Sequence, residues 1–340
     1  MHRRVALLSA LAIAVAGALV PASSAQAAND PRPSGWAAAD SGSERRTVSQ
    51  YWTTQRMLAA QPLDAPAPRR TRSSGPSRGE PWATRGTSRR TSWSTRGASW
   101  TVNATQQAAV PNSRGLQWTD GGAVVRTTGR VFFTTAEGGN ASCSGSAVTS
   151  ANESVVITAG HCVKIDGAAH RNWVFVPAFD DGQRPFGTWV ATAMFTTQQW
   201  NANEDINFDV AAVVVAPLNG RTLTDVVGGQ GVAFNQARQR QMFAFGYPAA
   251  DPFDGSELIY CSGRSFNDTV MTTDQGLRCN MTGGSSGGPW FQNFNESTGL
   301  GWLNSVNSFT YNFAPNFMFG PFFGDEAMAV YQAAQNSEAL

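Results

Sequence analysis

The chain has 340 residues, which is enough for one large domain or two small ones. Its net charge of +1 conceals an asymmetry, because residues 1–114 carry 15 of the 25 basic residues and 5 of the 24 acidic ones, a net +10, whereas residues 115–340 carry −9. The sequence contains no glycine-rich phosphate loop and no C-x-x-C pair, which argues against a nucleotide-dependent enzyme and against a zinc site. We therefore expect neither a cofactor nor a metal.

The first 27 residues match an export signal. A basic start at His2–Arg4 precedes an apolar run from Val5 to Val20, and Ala25-Gln26-Ala27 has the small-x-small pattern of a cleavage site. The apolar run is shorter than the roughly 20 residues that a membrane-spanning helix needs, which favours cleavage over a membrane anchor. We expect a secreted, extracellular protein with a 1–27 signal peptide and no membrane attachment after its removal.

Residues 28–114 are rich in Ser, Thr, Arg, Pro, Ala and Gly and poor in apolar residues. Such a segment buries too little surface to offset the entropy lost on ordering, so we expect it to be mostly disordered. Three interpretations remain open: a pro-segment opened by cleavage after arginine, a solvated linker, or a basic arm that binds nucleic acid. Export disfavours nucleic acid as a partner.

One part of this segment is an exception. Between Ser43 and Pro62, the side chains that recur at helical spacing are Val48, Tyr51, Trp52, Gln55 and Leu58. All but Gln55 are apolar or aromatic. The pattern predicts a small helix that docks on the later domain.

From residue 115 the sequence predicts an all-β domain that extends to residue 340. Short runs rich in Val, Phe, Thr and Trp alternate with Gly, Asn and Asp turns, which is typical of a barrel or sandwich. The clearest runs are Arg130–Thr134, Ser154–Thr158, Trp173–Pro177, Val210–Val215, Gln241–Phe245 and Gly301–Val306. A terminal helix is also expected, capped by Asp325, with Ala327, Val330, Tyr331 and Ala334 on one face.

Ser286 stands in the glycine-rich string Gly283-Gly284-Ser285-Ser286-Gly287-Gly288-Pro289. A serine hydroxyl becomes a nucleophile only when a base removes its proton, and it needs backbone N–H groups beside it to hold a developing oxyanion. The flanking glycines permit a tight turn, so Gly284 N–H and Ser286 N–H are the candidate oxyanion donors. The alternative is an ordinary glycine-rich turn.

The base must come from only three histidines, and His2 leaves with the signal peptide. His161 follows an apolar strand in the context Thr158-Ala159-Gly160-His161-Cys162, whereas His170 lies among polar residues and is expected at the surface. Four cysteines allow three pairings, and sequence proximity favours two disulfides, Cys143–Cys162 and Cys261–Cys279. The first would fix the backbone beside His161.

A carboxylate is needed on the far nitrogen of the histidine, to fix its tautomer and stabilise the imidazolium. Asp205 and Asp209 are both available. Asp209 opens the apolar run to Val215, which would place it at the mouth of a buried strand, so it is the favoured acid.

These residues resemble the chymotrypsin clan of serine peptidases, because T-A-G-H-C, an Asp opening an apolar strand and G-x-S-G-G-P occur in that clan's order. The string from Cys279 to Trp290 is similar to secreted bacterial trypsin-like peptidases near the glutamyl endopeptidase branch. The resemblance implies two six-stranded β-barrels with the triad between them and a C-terminal helix. It implies a monomeric serine endopeptidase that forms an acyl-enzyme on Ser286 with a protein or peptide substrate, His161 serving as general base and acid and Asp209 orienting it. The alternatives are a catalytically silent binding module on the same scaffold and an esterase.

Two departures from that family bear on regulation and specificity. Many members have Asp before the nucleophile, where it pairs with a freed N-terminus on activation, but this chain has Ser285. A zymogen would therefore need a pro-segment that docks on its own acidic peptidase domain, either blocking the cleft or assisting folding. The strand expected to carry a glutamate-reading histidine, Gly301–Ser308, has none, and Asn280–Thr282 includes no acid. We therefore expect the enzyme to prefer substrates with an apolar or small side chain directly before the cleaved bond.

Overall fold

The computed structural model describes residues 31–69, 74–87 and 113–340. The predicted signal peptide lies outside the described residues, as do residues 28–30, 70–73 and 88–112 of the predicted pro-segment. The strands are β1 (Ser34–Ala37), β2 (Gln61–Pro62), β3 (Trp82–Ala83), β4 (Arg114–Gln117), β5 (Thr128–Thr134), β6 (Asn140–Val148), β7 (Val155–Thr158), β8 (Lys164–Ile165), β9 (Ala168–Ala169), β10 (Arg171–Pro177), β11 (Trp189–Thr196), β12 (Ala211–Val215), β13 (Gly231–Phe234), β14 (Gln241–Gly246), β15 (Ile259–Arg264), β16 (Phe266–Asn267), β17 (Gln275–Arg278), β18 (Pro289–Asn295), β19 (Leu300–Val306), β20 (Phe309–Tyr311) and β21 (Ala314–Gly320). The α-helices are α1 (Gly42–Tyr51), α2 (Thr54–Leu58), α3 (Ala123–Thr127), α4 (Gln198–Asn203), α5 (Leu223–Val227) and α6 (Asp325–Gln335), and 3-10 turns cover Gly160–Cys162 and Ile206–Phe208.

The first half of the domain is a closed antiparallel barrel of six strands. The ring runs β5, β6, β7, β12, β11 and β10, and β10 pairs back to β5. Every residue of β5, β7 and β12 is buried. The strands of this barrel carry continuous apolar runs such as Val213–Val215 because the C-terminal helix α6 covers the outer face of β12 and β11.

The second half contains a seven-stranded sheet, in the order β3-β13-β19-β18-β14-β15-β4, and a four-stranded sheet, in the order β16-β17-β21-β20. The disulfide Cys261–Cys279 joins β15 to the residue after β17 and so links the two sheets. The all-β class and the C-terminal helix are as predicted, and each of the six predicted strand runs coincides with a strand to within two residues. The predicted cap of that helix was wrong, because Gly324 is the N-cap residue and Asp325 lies in the first turn, where its side chain caps no backbone N–H. The four apolar residues predicted on one face of α6 are all buried. None of the helices among the described residues has the length and apolar character needed to cross a membrane.

Residues 31–69 and 74–87, here called the arm, are built into the domain at several points. β1 pairs antiparallel with β11, β2 pairs parallel with β6, and β3 pairs antiparallel with β13. Trp52 is buried, and its indole Nε1 donates a 2.6 Å hydrogen bond to the carbonyl oxygen of Asn172. More of the predicted pro-segment is therefore ordered than the single docked helix expected from the sequence.

That expected helix is two helices, and the reason is a cap. α1 ends at Tyr51, and Thr53 takes an extended conformation (ψ 159°) in which its side chain accepts a hydrogen bond from the Arg56 N–H. This N-cap restarts the helix and shifts its phase. Met57 is consequently fully buried, whereas Leu58, predicted to face the domain, is 52% exposed.

Candidate active site

His161 lies in the 3-10 turn that follows β7, and its side chain is fully buried. Its Nδ1 lies 2.8 Å from Oδ2 of Asp209, and its backbone N–H donates a second 2.8 Å hydrogen bond to Oδ1 of the same carboxylate. The disulfide Cys143–Cys162 ties this turn to β6. Because a carboxylate only accepts hydrogen bonds, Nδ1 carries the proton and the lone pair of the imidazole is on Nε2. This is the tautomer that a general base requires.

Asp209 reaches His161 because the 3-10 turn Ile206–Phe208 ends directly before β12. Its Oδ2 also accepts a 2.5 Å hydrogen bond from the hydroxyl of Ser308. Asp205 has a different task, since its carboxylate accepts from the backbone N–H and the side-chain amide of Asn207 and so caps that turn. Of the two acids considered from sequence, the structure brings Asp209 to the histidine.

Ser286 lies in the turn before β18, and its carbonyl oxygen accepts a 2.7 Å hydrogen bond from the N–H of Ser144 in β6. Gly284 has a φ of +90°, a conformation that side-chain-bearing residues rarely adopt, and it directs the backbone of the loop around the serine. Gly287 has a φ of +77°, and a Cβ on it would overlap the hydroxyl oxygen of Thr158. The glycines on either side of Ser286 are therefore required by conformation and by space.

Three polar side chains hold this loop, and the sequence predicted this role for none of them. The hydroxyl of Ser285 donates 2.8 Å to the carbonyl oxygen of Thr282 within the loop. The hydroxyl of Ser144 donates 2.9 Å to the carbonyl oxygen of Gly284. Asn307, which is fully buried, donates from Nδ2 to the carbonyl oxygen of Ser285. The loop is thus fixed from inside the domain, without an acid at position 285.

Ser308 and Asn307 were missed because their partners are distant in sequence. Ser308 is 99 positions from Asp209. The only local signal is that two polar residues end a strand-like run, and this does not indicate what they contact.

The hydroxyl of Ser286 makes no hydrogen bond to His161 in this structure. It donates a 3.2 Å hydrogen bond to the carbonyl oxygen of Leu63, in the arm. The same oxygen lies 3.5 Å from the backbone nitrogen of Gly284, one of the two predicted oxyanion donors. Among the described residues, Nε2 of His161 has no hydrogen-bond partner although it is buried.

His170 is not at the surface, so that prediction was wrong. It is 2% exposed, its ring stacks on Phe133 with centroids 4.2 Å apart, and its Nε2 lies 3.0 Å from the carbonyl oxygen of His161. Burial lowers the pKa of His170 to about 4. Its polar neighbours in sequence gave a misleading signal, because His170, between β9 and β10, packs against the turn that holds His161.

One cluster has the composition of a metal site. Potential ligand atoms of Cys143, His161 and Cys162 lie within 4.8 Å of one another. Both sulfur atoms are joined in a disulfide, however, so neither is available as the thiolate that a metal binds. The disulfide instead fixes the backbone next to His161.

A cleft of about 490 Å³ opens beside Ser286. Its walls in the domain include Met281, Phe309 and Met318, and the arm residues 64–68 line its other side. Among the described residues that line it, Asp64 of the arm is the one carboxylic acid, and no Lys, Arg or His lines it.

Comparison with known proteins identifies the family of the chain. The sequence matches the trypsin-like peptidase domain family over residues 143–300. It is 43% identical to the protease Anisep from Arthrobacter nicotinovorans, with a TM-score of 0.61, over 66% of this chain and 100% of that chain. It is 42% identical to the thermostable serine protease AL20 from an extremophilic microorganism, with a TM-score of 0.60, over 63% of this chain and 100% of that chain.

A solved Glu endopeptidase is similar in fold alone, at 14% identity and a TM-score of 0.52, over 67% of this chain and 99% of that one. No curated protein sequence matches the chain.

Proposed function

The chain belongs to the trypsin-like serine peptidases, and we propose that it hydrolyses peptide bonds through an acyl-enzyme on Ser286, with His161 as general base and acid and Asp209 as the residue that orients it. The observation that carries this assignment is the pair of 2.8 Å hydrogen bonds from His161 to the buried carboxylate of Asp209, beside the glycine-framed Ser286.

The proposed reaction has two halves. Ser286 Oγ attacks the scissile carbonyl carbon while Nε2 of His161 accepts the hydroxyl proton. The C–N bond then breaks, and His161 returns that proton to the leaving amine. Water next attacks the acyl-enzyme with the same proton transfers, releasing the acid and restoring the serine. The backbone N–H groups of Gly284 and Ser286 are proposed to hold the negative oxygen in both halves.

The proposed organisation follows the sequence boundaries. Residues 1–27 are a signal peptide removed on secretion, residues 28–114 a pro-segment, and residues 115–340 the peptidase domain that acts outside the cell. Two disulfides support an oxidising compartment. The arm's contacts with β6, β11 and β13 support a pro-segment that docks on its own domain.

For specificity, we propose that the residue before the cut is apolar. Met281, Phe309 and Met318 offer apolar surface in the cleft, and the described residues of its walls in the domain include no Asp, Glu, Lys, Arg or His that could pair with a charged substrate residue. Burying a substrate carboxylate or guanidinium there without a partner is unfavourable. The absence of a histidine in the lining argues against glutamate recognition as well.

Labelling with a fluorophosphonate tests the assignment, because this reagent reacts with an activated serine. The protein is labelled before and after brief trypsin treatment that cuts the arm, and peptide hydrolysis is measured in parallel. Ser286→Ala should abolish labelling and lower hydrolysis on the order of 10³-fold or more. Ser154→Ala is the matched control, since this serine is also buried but lies at the far end of β7 from His161. If neither preparation is labelled or active, the protein is a binding module on a peptidase scaffold. If the protein is labelled and hydrolyses an ester substrate but no peptide substrate, it is an esterase.

A further inference from the structure

The arm crosses the cleft at Ser286. β2 runs parallel to the start of β6, with Gln61 beside Ala141 and Pro62 beside Ser142. The backbone N–H of Leu63 then donates a 3.0 Å hydrogen bond to the carbonyl oxygen of Ser142. Beyond Leu63, residues 64–68 line the cleft that a substrate would enter. A peptide substrate and these arm residues therefore compete for the same space.

The contact of Leu63 with the proposed machinery disables it in two ways. The Leu63 carbonyl oxygen takes the hydrogen bond of the Ser286 hydroxyl at 3.2 Å, so the proton is directed to the arm and not to Nε2 of His161. The same oxygen lies 3.5 Å from the Gly284 N–H, where it competes for a donor that an oxyanion would use.

We propose that residues 61–68 are a built-in peptide inhibitor that occupies the cleft in a non-productive pose. This inference rests on the proposed function, and it names the ligand and the regulation of the same site. The pro-segment thereby silences the enzyme through the nucleophile itself, which fits a chain that has Ser285 where an activation salt bridge would need an acid.

The proposed pose also implies that the arm is not cut at Leu63. Attack requires a lone pair of Oγ to face the carbonyl carbon while His161 takes the proton. A hydroxyl that donates to the carbonyl oxygen faces the oxygen instead. The Leu63–Asp64 bond is thus held against the serine in an orientation that does not react.

Anchors on both sides keep residues 61–68 in place. Before them, Trp52 and Met57 are buried in the domain core, and the Tyr51 hydroxyl donates 2.7 Å to Oδ1 of Asn140. After them, the Ser77 hydroxyl and N–H donate to the carboxylate of Glu326 at 2.8 and 2.9 Å. A tethered ligand of this kind acts at an effective concentration on the order of millimolar, so weak contacts in the cleft suffice.

The first test uses the full chain and the rate of fluorophosphonate labelling. Trp52→Ala removes an anchor that does not line the cleft, and Leu63→Pro removes the N–H that binds Ser142 while it keeps the anchors. Each is expected to raise the labelling rate of the uncut protein at least 10-fold. Leu58→Ala, on the same arm but 52% exposed, is the control and should label at the wild-type rate. Near-ultraviolet circular dichroism checks that each variant is folded.

The second test adds a synthetic peptide of residues 59–68 to trypsin-treated protein. It should slow labelling, raise the KM for a peptide substrate without changing kcat, and remain intact by mass spectrometry. A scrambled peptide should have no effect. If uncut and cut wild type label equally fast, or if the peptide is cleaved after Leu63, the built-in inhibitor is refuted while the peptidase assignment stands. If no preparation or variant is labelled, the proposed function itself fails.

Discussion

The side-chain amide of Asn307 donates a 3.0 Å hydrogen bond to the carbonyl oxygen of Ser285, the residue directly before Ser286. The same amide donates 2.9 Å to the carbonyl oxygen of Phe245 in β14, and its oxygen accepts 2.7 Å from the indole of Trp290 in β18. One buried side chain therefore joins the loop around Ser286 to two neighbouring strands.

Removing the donor of Asn307 is expected to misplace Ser286. Asn307→Asp keeps the acceptor for Trp290 but loses the amide donor, and Asn307→Ala loses both. We expect each to lower kcat by about 10²-fold with little change in KM, because displacement of reacting groups by about 1 Å has effects of that size. Steady-state kinetics after trypsin treatment measures this. The control is Asn304→Ala, a buried asparagine whose amide binds Gln292. A variant pair with the wild-type kcat would show that the loop needs no such support.

Replacing each of the two candidate acids, Asp209 and Asp205, by Asn in turn separates their roles. Asp209→Asn should lower kcat by about 10⁴-fold, since an amide in place of the carboxylate favours the wrong tautomer of His161. Asp205→Asn is matched in chemistry and position, and because Asp205 only caps the preceding turn, kcat should stay within about threefold of wild type. Equal losses in the two variants would contradict the assignment of Asp209.

Substrate preference is checked with peptides that differ only in the residue before the cut. Leu or Phe there should give a kcat/KM at least about 10-fold above Arg or Glu, because the cleft offers apolar contacts and no partner for charge. In Met318→Asp the added carboxylate should shift the ratio toward Arg. Efficient cleavage after Glu or Arg by the unaltered enzyme would refute the apolar preference.

His170 predicts how stability depends on pH. Its pKa is about 4 in the folded protein, against 6.5 for an ordinary histidine, because burial disfavours the charged ring. The unfolded chain therefore takes up the proton first as pH falls, and the free energy of unfolding should drop by up to about 3 kcal/mol between pH 6.5 and 4. Denaturant titrations of wild type and His170→Gln measure this difference. The same slope in both proteins would exclude His170 as its source.

The buried carboxyl group of Asp274 should affect the pH dependence of stability in the opposite direction, lowering the free energy of unfolding as pH rises. Both of its carboxylate oxygens are buried without a hydrogen-bond partner among the described residues, and burial together with the charge of Asp209 raises its pKa. The folded state therefore holds a proton that the unfolded state releases above about pH 4, which lowers stability as pH rises. Asp274→Asn should raise the free energy of unfolding at pH 7 by more than about 1 kcal/mol, a gain that disappears near pH 4.

The matched control for Asp274 is Asp268→Asn. Asp268 accepts hydrogen bonds from the Val270 and Thr272 backbones and from the Tyr311 hydroxyl, so its loss should destabilise the protein. If Asp274→Asn destabilises the protein at pH 7 as much as Asp268→Asn does, the Asp274 carboxylate has a partner that stabilises it in the folded protein, and the prediction is wrong.

The sequence by itself determined the parts that depend on neighbouring residues. Alternating and continuous apolar runs predicted the strands, because side-chain burial in a sheet repeats locally. The surroundings of His161 and Ser286 are short motifs, and the disulfide partners lie 19 and 18 positions apart. Even the terminal helix follows from one local stripe.

Only the tertiary structure decided what depends on distant partners. The hydrogen bonds of Asn307 and Ser308, the burial of His170 and the contact of Leu63 with Ser286 join segments that leave no shared local pattern. The contact with Leu63 spans 223 positions. A cap at Thr53 also reset a helical phase that periodicity alone had extended to Leu58. Local patterning specifies which face of an element is apolar, whereas the packing of the elements decides which polar atoms meet.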